Sequence, residues 1–141
     1  METTEKKEIT VETIINAPVE KVWKQWNNPK DITQWYFASD DWHAPHSEND
    51  LRVGGKLKTA MAAKDGSFGF DFEGVYTNVK DQQLIEFNIM DGRKVKILFT
   101  PQGNATKVTE TFEAEKINPM EMQRSGWQAI LDNFKKHVEK T

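Results

Sequence analysis

The chain has 141 residues, a formal net charge of -3 and no cysteine. Hydrophobic residues make up 37% and charged residues 29%, a balance that marks a folded globular chain and excludes a disordered one. The missing cysteine excludes a disulfide framework, a thiol nucleophile and a thiolate metal site, and the mixed acidic and basic residues argue against nucleic acid as a partner.

The length fits a single domain over residues 1–141, with room for one core and one cavity. A polar tail is expected over residues 1–7 and an ordered core from 9 to 137. No apolar run reaches membrane-spanning length, and the polar start from Met1 to Glu8 lacks the apolar stretch of a signal peptide. These features predict a cytoplasmic protein.

The first predicted strand is Ile9–Ile15, with Ile9, Val11, Thr13 and Ile15 on one face at period two. A helix follows. Pro18 suits its first position, and Val19, Val22, Trp23 and Trp26 recur at helical spacing, which marks Trp23 and Trp26 as core. Asn28 can cap a second short helix that begins at Pro29 and runs to Trp35. Ala38–Asp50, polar and broken by Pro45, reads as irregular.

Five strands are then predicted: Gly55–Ala62, Phe68–Thr77, Gln83–Met90, Arg93–Thr100 and Ala105–Glu115. Turn chemistry joins them, with Asp91-Gly92 reading as a two-residue hairpin whose central residues both take positive φ. Short connections predict an antiparallel meander. The last element is a long helix, with Asn118 as N-cap, Pro119 as first residue and Glu121 as capping-box partner. Its apolar stripe is Trp127, Ile130, Leu131, Phe134 and Val138. Such a helix needs a wide apolar surface, which a curved antiparallel sheet supplies, so the expected class is α+β. Gly54-Gly55, Gly69 and Gly74 are available for the curvature.

Asn16-Ala17-Pro18-Val19-Glu20-Lys21-Val22-Trp23, with Asn28-Pro29 and Gln34-Trp35, resembles the opening of the SRPBCC superfamily, the START-like or helix-grip proteins. Leu51-Arg52-Val53-Gly54-Gly55-Lys56-Leu57, Phe72-Glu73-Gly74-Val75-Tyr76, Asn104-Ala105-Thr106-Lys107-Val108-Thr109 and Ser125-Gly126-Trp127 continue the resemblance in order. The branch it is similar to is the C-terminal domain of the activator of heat-shock-protein-90 ATPase. The resemblance runs from Ile9 to His137. It implies a bent antiparallel sheet gripping the C-terminal helix, with two short helices after the first strand and an apolar cavity between sheet and helix. It also implies that the short helices and the loop after them close one end of that cavity.

Several residues can carry chemistry in such a cavity. Val108, Glu110 and Phe112 alternate onto one strand face, so Glu110 is expected to point inward, desolvated, as an acid, base or polar anchor, or else to pair at the rim. Trp35, Tyr36 and Trp42 form either a pocket wall or core. From the sheet, Leu57, Thr59, Met61, Phe70, Phe72 and Phe112 are candidates, and from the long helix Trp127 and Ile130. Gly126, costly inside a helix by about 0.5–1 kcal/mol, implies close approach of the sheet or space beside a ligand. His43 and His46 lie near Asp40, Asp41 and Glu48, but no helix fixes them as metal ligands, and no metal site is expected. His43 is instead a candidate for the cavity mouth.

No phosphate-binding glycine loop, nucleophile elbow or histidine-carboxylate catalytic spacing is present, and no cofactor is expected. The leading expectation is a non-catalytic carrier or sensor of a small apolar molecule, as monomer or homodimer. The alternatives are a cyclase, isomerase or hydrolase using Glu110 or His43 as acid or base, and a chaperone-linked module of the stress response whose partner is a protein.

Overall fold

The computed structural model describes residues 7–141. The expected tail over residues 1–7 therefore lies outside the described residues, except for Lys7, whose carbonyl accepts the Ala114 N–H. In chain order the elements are β1 (Glu8–Ile15), α1 (Val19–Asn27), α2 (Pro29–Trp35), β2 (Trp42–Asn49), β3 (Lys56–Ala63), β4 (Gly69–Lys80), β5 (Leu84–Ile89), β6 (Lys94–Gln102), β7 (Ala105–Glu113) and α3 (Met120–Lys140). The strands make one antiparallel sheet in the order β1-β7-β6-β5-β4-β3-β2. Its concave face grips α3, so the α+β helix-grip architecture is the observed one.

Alternation builds the concave face. Ile9, Val11 and Ile15 on β1, Val95, Ile97 and Phe99 on β6, and Val108 and Phe112 on β7 are all buried. β4 carries two features that favour bending. A Cβ on Gly74 would sit 2.8 Å from the Phe87 ring and 3.0 Å from the Asn88 carbonyl, so this crossing admits only glycine. A register shift between Tyr76 and Asn78 adds to the bend.

α1 and α2 close the C-terminal half of α3. Trp26 packs edge-on against Phe134 at 4.8 Å and against Phe99 at 5.8 Å, while Trp23 meets Phe99 at 5.1 Å. Asn28 caps α2 by accepting the Lys30 N–H at 3.0 Å, with Pro29 opening the helix. Side chains of α3 also run along β1: Arg124, Gln128 and Lys135 donate to the carbonyls of Thr10, Glu12 and Ile14. His137 meets Asp31 at 2.9 Å and ties α3 to α2.

Three local expectations are corrected. The segment expected to be irregular contains β2, an edge strand where Pro45 costs no ladder bond inside the sheet, with a register shift between His43 and His46. The β5–β6 hairpin has three loop residues, Met90–Gly92. Ile89 and Arg93 close it, and Gly92 but not Asp91 takes a positive φ, of 92°. The start of α3 has Pro119 as N-cap with no side-chain cap, so Asn118 and Glu121 do not form a capping box. Gln123 instead ties the first turn of α3 to the loop before it. Its Nε2 donates to the carbonyls of Glu115 and Asn118, and its Oε1 accepts the Glu115 N–H.

Candidate functional site

The N-terminal half of α3 does not reach the sheet along its whole inner face. A cavity of about 260 Å³ lies there, walled by Trp26, Trp35 and Tyr36 from the short helices and by Met61, Phe70 and Phe72 from β3 and β4. Gly126, Trp127 and Ile130 of α3 form its roof, and Glu110 and Arg93 supply ionisable groups. A smaller space of about 30 Å³, room for about one water, lies deeper, among Leu57, Thr59, Tyr76, Asn49 and Phe87. Trp26, Tyr36 and Glu110 line both.

The aromatic walls are fixed by ring contacts. Trp127 lies flat on Phe112 at 3.9 Å with an interplanar angle of 10°. Phe72 meets Trp127 edge-on at 6.2 Å and Tyr36 at 5.6 Å. Trp35 packs between Tyr36 and Phe134 at 5.1 and 4.6 Å, and its indole N–H donates to the Gln25 carbonyl. Each contact adds about 0.5–1.5 kcal/mol beyond burial and holds the wall rigid.

Glu110 is the chemical centre. It is 5% exposed, and among the described residues no side chain or backbone group is hydrogen-bonded or ion-paired to its carboxyl. Burial without a partner disfavours the charged form and pushes its pKa up to about 8. The Tyr36 phenol is held well above its ordinary value, first by burial, then by the charge of Glu110 and then by Tyr76. At neutral pH the carboxyl is therefore mainly protonated, able both to donate and to accept.

Gly126 resolves an ambiguity in the sequence. A Cβ there would meet nothing within 4 Å, so the glycine does not serve close approach of the sheet; it leaves open space at the cavity roof.

A sequence model of the family described as "Activator of Hsp90 ATPase homolog 1-like protein" matches residues 16–139. The chain belongs to that family. Its members are SRPBCC proteins, and the helix-grip sheet and helix are theirs. Among solved structures, the AHSA1-like protein from Aeromonas hydrophila is 46% identical, with 95% of this chain and 93% of that one aligned at a TM-score of 0.90. A protein from Cytophaga hutchinsonii is 54% identical over 94% of this chain and 92% of that one, at a TM-score of 0.82. A protein from Chromobacterium violaceum shares the fold at 22% identity, over 94% and 98% of the two chains, with a TM-score of 0.84. No functionally curated protein matches the chain.

The AHSA1-like fold brings together most of the residues singled out from sequence. Trp35, Tyr36, Met61, Phe70, Phe72, Glu110, Trp127 and Ile130 line the main cavity, and Leu57 and Thr59 line the inner one. Phe112 does not line either; it lies beneath Trp127 as the backing of the wall. Trp42 and His43 also lie off the lining, because β2 is the far edge strand. The Trp42 ring packs on Phe68 and Phe70 at 5.9 and 6.1 Å, outside the space under α3. His46 pairs with Glu48 at 3.2 Å on the surface, and among the described residues no three His, Asp or Glu side chains gather as a metal site.

Of the main cavity's lining, Trp26, Ala38 and Arg93 escaped the sequence reading, as did Asn49, Tyr76 and Phe87 of the inner space. Trp26 is both core and wall, a dual role that helical spacing does not distinguish. Arg93 had a usable signal: Arg93, Val95, Ile97 and Phe99 alternate onto one face, which places a cation on the apolar side of the sheet.

Proposed function

We propose that this protein binds a small apolar molecule in the cavity between its sheet and the N-terminal half of α3, with Glu110 as the polar anchor. The observation that carries this is Glu110 itself: a buried carboxyl with no partner among the described residues, facing an aromatic-walled space. A buried polar group without a partner costs about 1–3 kcal/mol, and a ligand hydroxyl supplies the missing bond. The rigid aromatic wall and the open space at Gly126 support the same reading. The absence of cysteine fits a reducing, cytoplasmic setting. The test is titration with 2-naphthol and naphthalene, followed by tryptophan fluorescence and thermal melting. The reading expects 2-naphthol to bind and stabilise the protein, and Glu110→Leu to erase its advantage over naphthalene. No binding of either molecule would overturn it.

The same carboxyl favours a second reading, proton transfer on the bound molecule. A group that titrates near neutrality in a dry site suits general acid–base work, with Tyr36 beside it. His43 takes no part, since it lies off the cavity. Chemical change of a bound ligand that survives Glu110→Gln would remove this reading. The chaperone link in the family's description rests here on the exposed Phe68 and Phe70 beside Trp42, 62% and 47% exposed. Its test is whether the protein raises the ATPase rate of a heat-shock-protein-90 chaperone.

A further inference from the structure

The cavity has a second ionisable group, and its placement is unlike that of Glu110. Arg93 lines the apolar cavity on one side and, on the other, an outer groove beside Gly92, Ala114 and Met120. Its side chain is 23% exposed. Nε donates to Asp91 at 2.9 Å, and Nη1 donates to the Glu113 carbonyl at 3.3 Å. A guanidinium has five N–H donors in a planar fork. Among the described residues nothing is bonded to Nη2, so the edge that matches a carboxylate is only partly used.

We propose that the ligand class is an amphipathic acid: an apolar, ring-sized body with an anionic group on Arg93 and a hydroxyl at its other end on Glu110. This rests on the reading of the cavity as a ligand site. Charge placement supports it. The head would lie at Arg93, which borders the outer groove as well as the cavity and keeps water on one side, while the body lies against Phe72 and Trp127. Spacing supports it too. The backbone of β7 from Glu110 to Glu113, whose main-chain carbonyl Arg93 reaches, runs on the order of 10 Å at about 3.3 Å per residue. That is the span of a two-ring molecule substituted at both ends. The opposing groups are Asp91, which competes for Arg93, and Glu113, whose Oε1 accepts the Lys94 N–H. A carboxylate ligand would draw Arg93 from the exposed Asp91.

The test compares 2-naphthol, 2-naphthoate and 6-hydroxy-2-naphthoate by calorimetry at pH 7, on the wild type, Arg93→Gln and Asp91→Asn. The hydroxy acid is expected to bind about tenfold more tightly than 2-naphthol, a gain typical of a charge-assisted pair. Arg93→Gln should remove that gain and leave 2-naphthol within about twofold, because the neutral molecule does not use the guanidinium. Asp91→Asn, which removes the competitor and not the cation, should tighten both acids and leave 2-naphthol unchanged. Equal affinity for 2-naphthol and the hydroxy acid overturns this inference alone. So does equal weakening of all three by Arg93→Gln, or no change in the acids on Asp91→Asn. Failure of every compound to bind overturns the ligand reading and this inference together.

Discussion

Along its C-terminal half α3 buries Leu131, Phe134 and Val138 completely, whereas along its N-terminal half Gly126, Trp127 and Ile130 stay half-buried beside the cavity. The same helix meets the same sheet in both places. The difference is what else arrives. α1 and α2 bring Trp26 and Trp35 onto Phe134, and these rings close the space. Beyond them no element among the described residues covers the inner face of Gly126, and the rings of Phe72 and Trp127 stand as a wall. An apolar surface becomes core or pocket according to the third layer packed on it, not according to its own composition.

Phe134→Ala should break the packed half most severely. A fully buried ring that touches Trp26 and Trp35 should cost about 3–5 kcal/mol in urea or thermal unfolding. Trp127→Ala should cost clearly less, since its ring already borders open space, yet it should weaken ligand binding more than Phe134→Ala weakens it in protein that remains folded. Equal stability losses would erase the distinction between the halves.

The next effect belongs to Glu110. Its carboxyl titrates near 8 in the folded chain against an ordinary value of 4.5. The folded state keeps a proton that the unfolded state has lost, so stability falls as pH rises from 4.5 to 8 and levels above that. The loss is on the order of a few kcal/mol. Denaturant melts across this window should slope downward for the wild type and run flatter for Glu110→Gln.

Gly126→Ala sharpens the comparison from the other side. It should stabilise the helix by about 0.5–1 kcal/mol, because the added methyl meets nothing within 4 Å. The same methyl takes room from the cavity, so larger ligands should bind more weakly while the melting temperature rises. The smallest effect is expected at Trp42. Trp42→Ala should change binding by less than about twofold, because the ring lies off the lining on the edge strand.

The cavity residues were legible in sequence wherever a strict period applied. Val108, Glu110 and Phe112 had to share a face, and the concave side had to be the apolar one. Arg93 obeyed the same rule and went unread because a turn directly precedes it. Trp42 was illegible for a different reason. Its position depends on β2 pairing at the far edge, and β2 is a polar, proline-interrupted stretch with no apolar alternation to announce it. Nor does any local pattern reveal that Glu110 lacks a partner. That is a property of what the other strands and helices fail to bring within reach.

The bonds from Arg124, Gln128 and Lys135 to the β1 carbonyls bear on how this protein behaves in a crowd. An outer strand with open carbonyls is a template on which a neighbouring chain can lay its own backbone. Here the helix that roofs the cavity also occupies that template, at Thr10, Glu12 and Ile14. The opposite border, β2, carries Pro45 and a break in register, which spoil it as a landing strip. The protein can keep a greasy interior half open to visitors while giving its own copies little backbone to grow on.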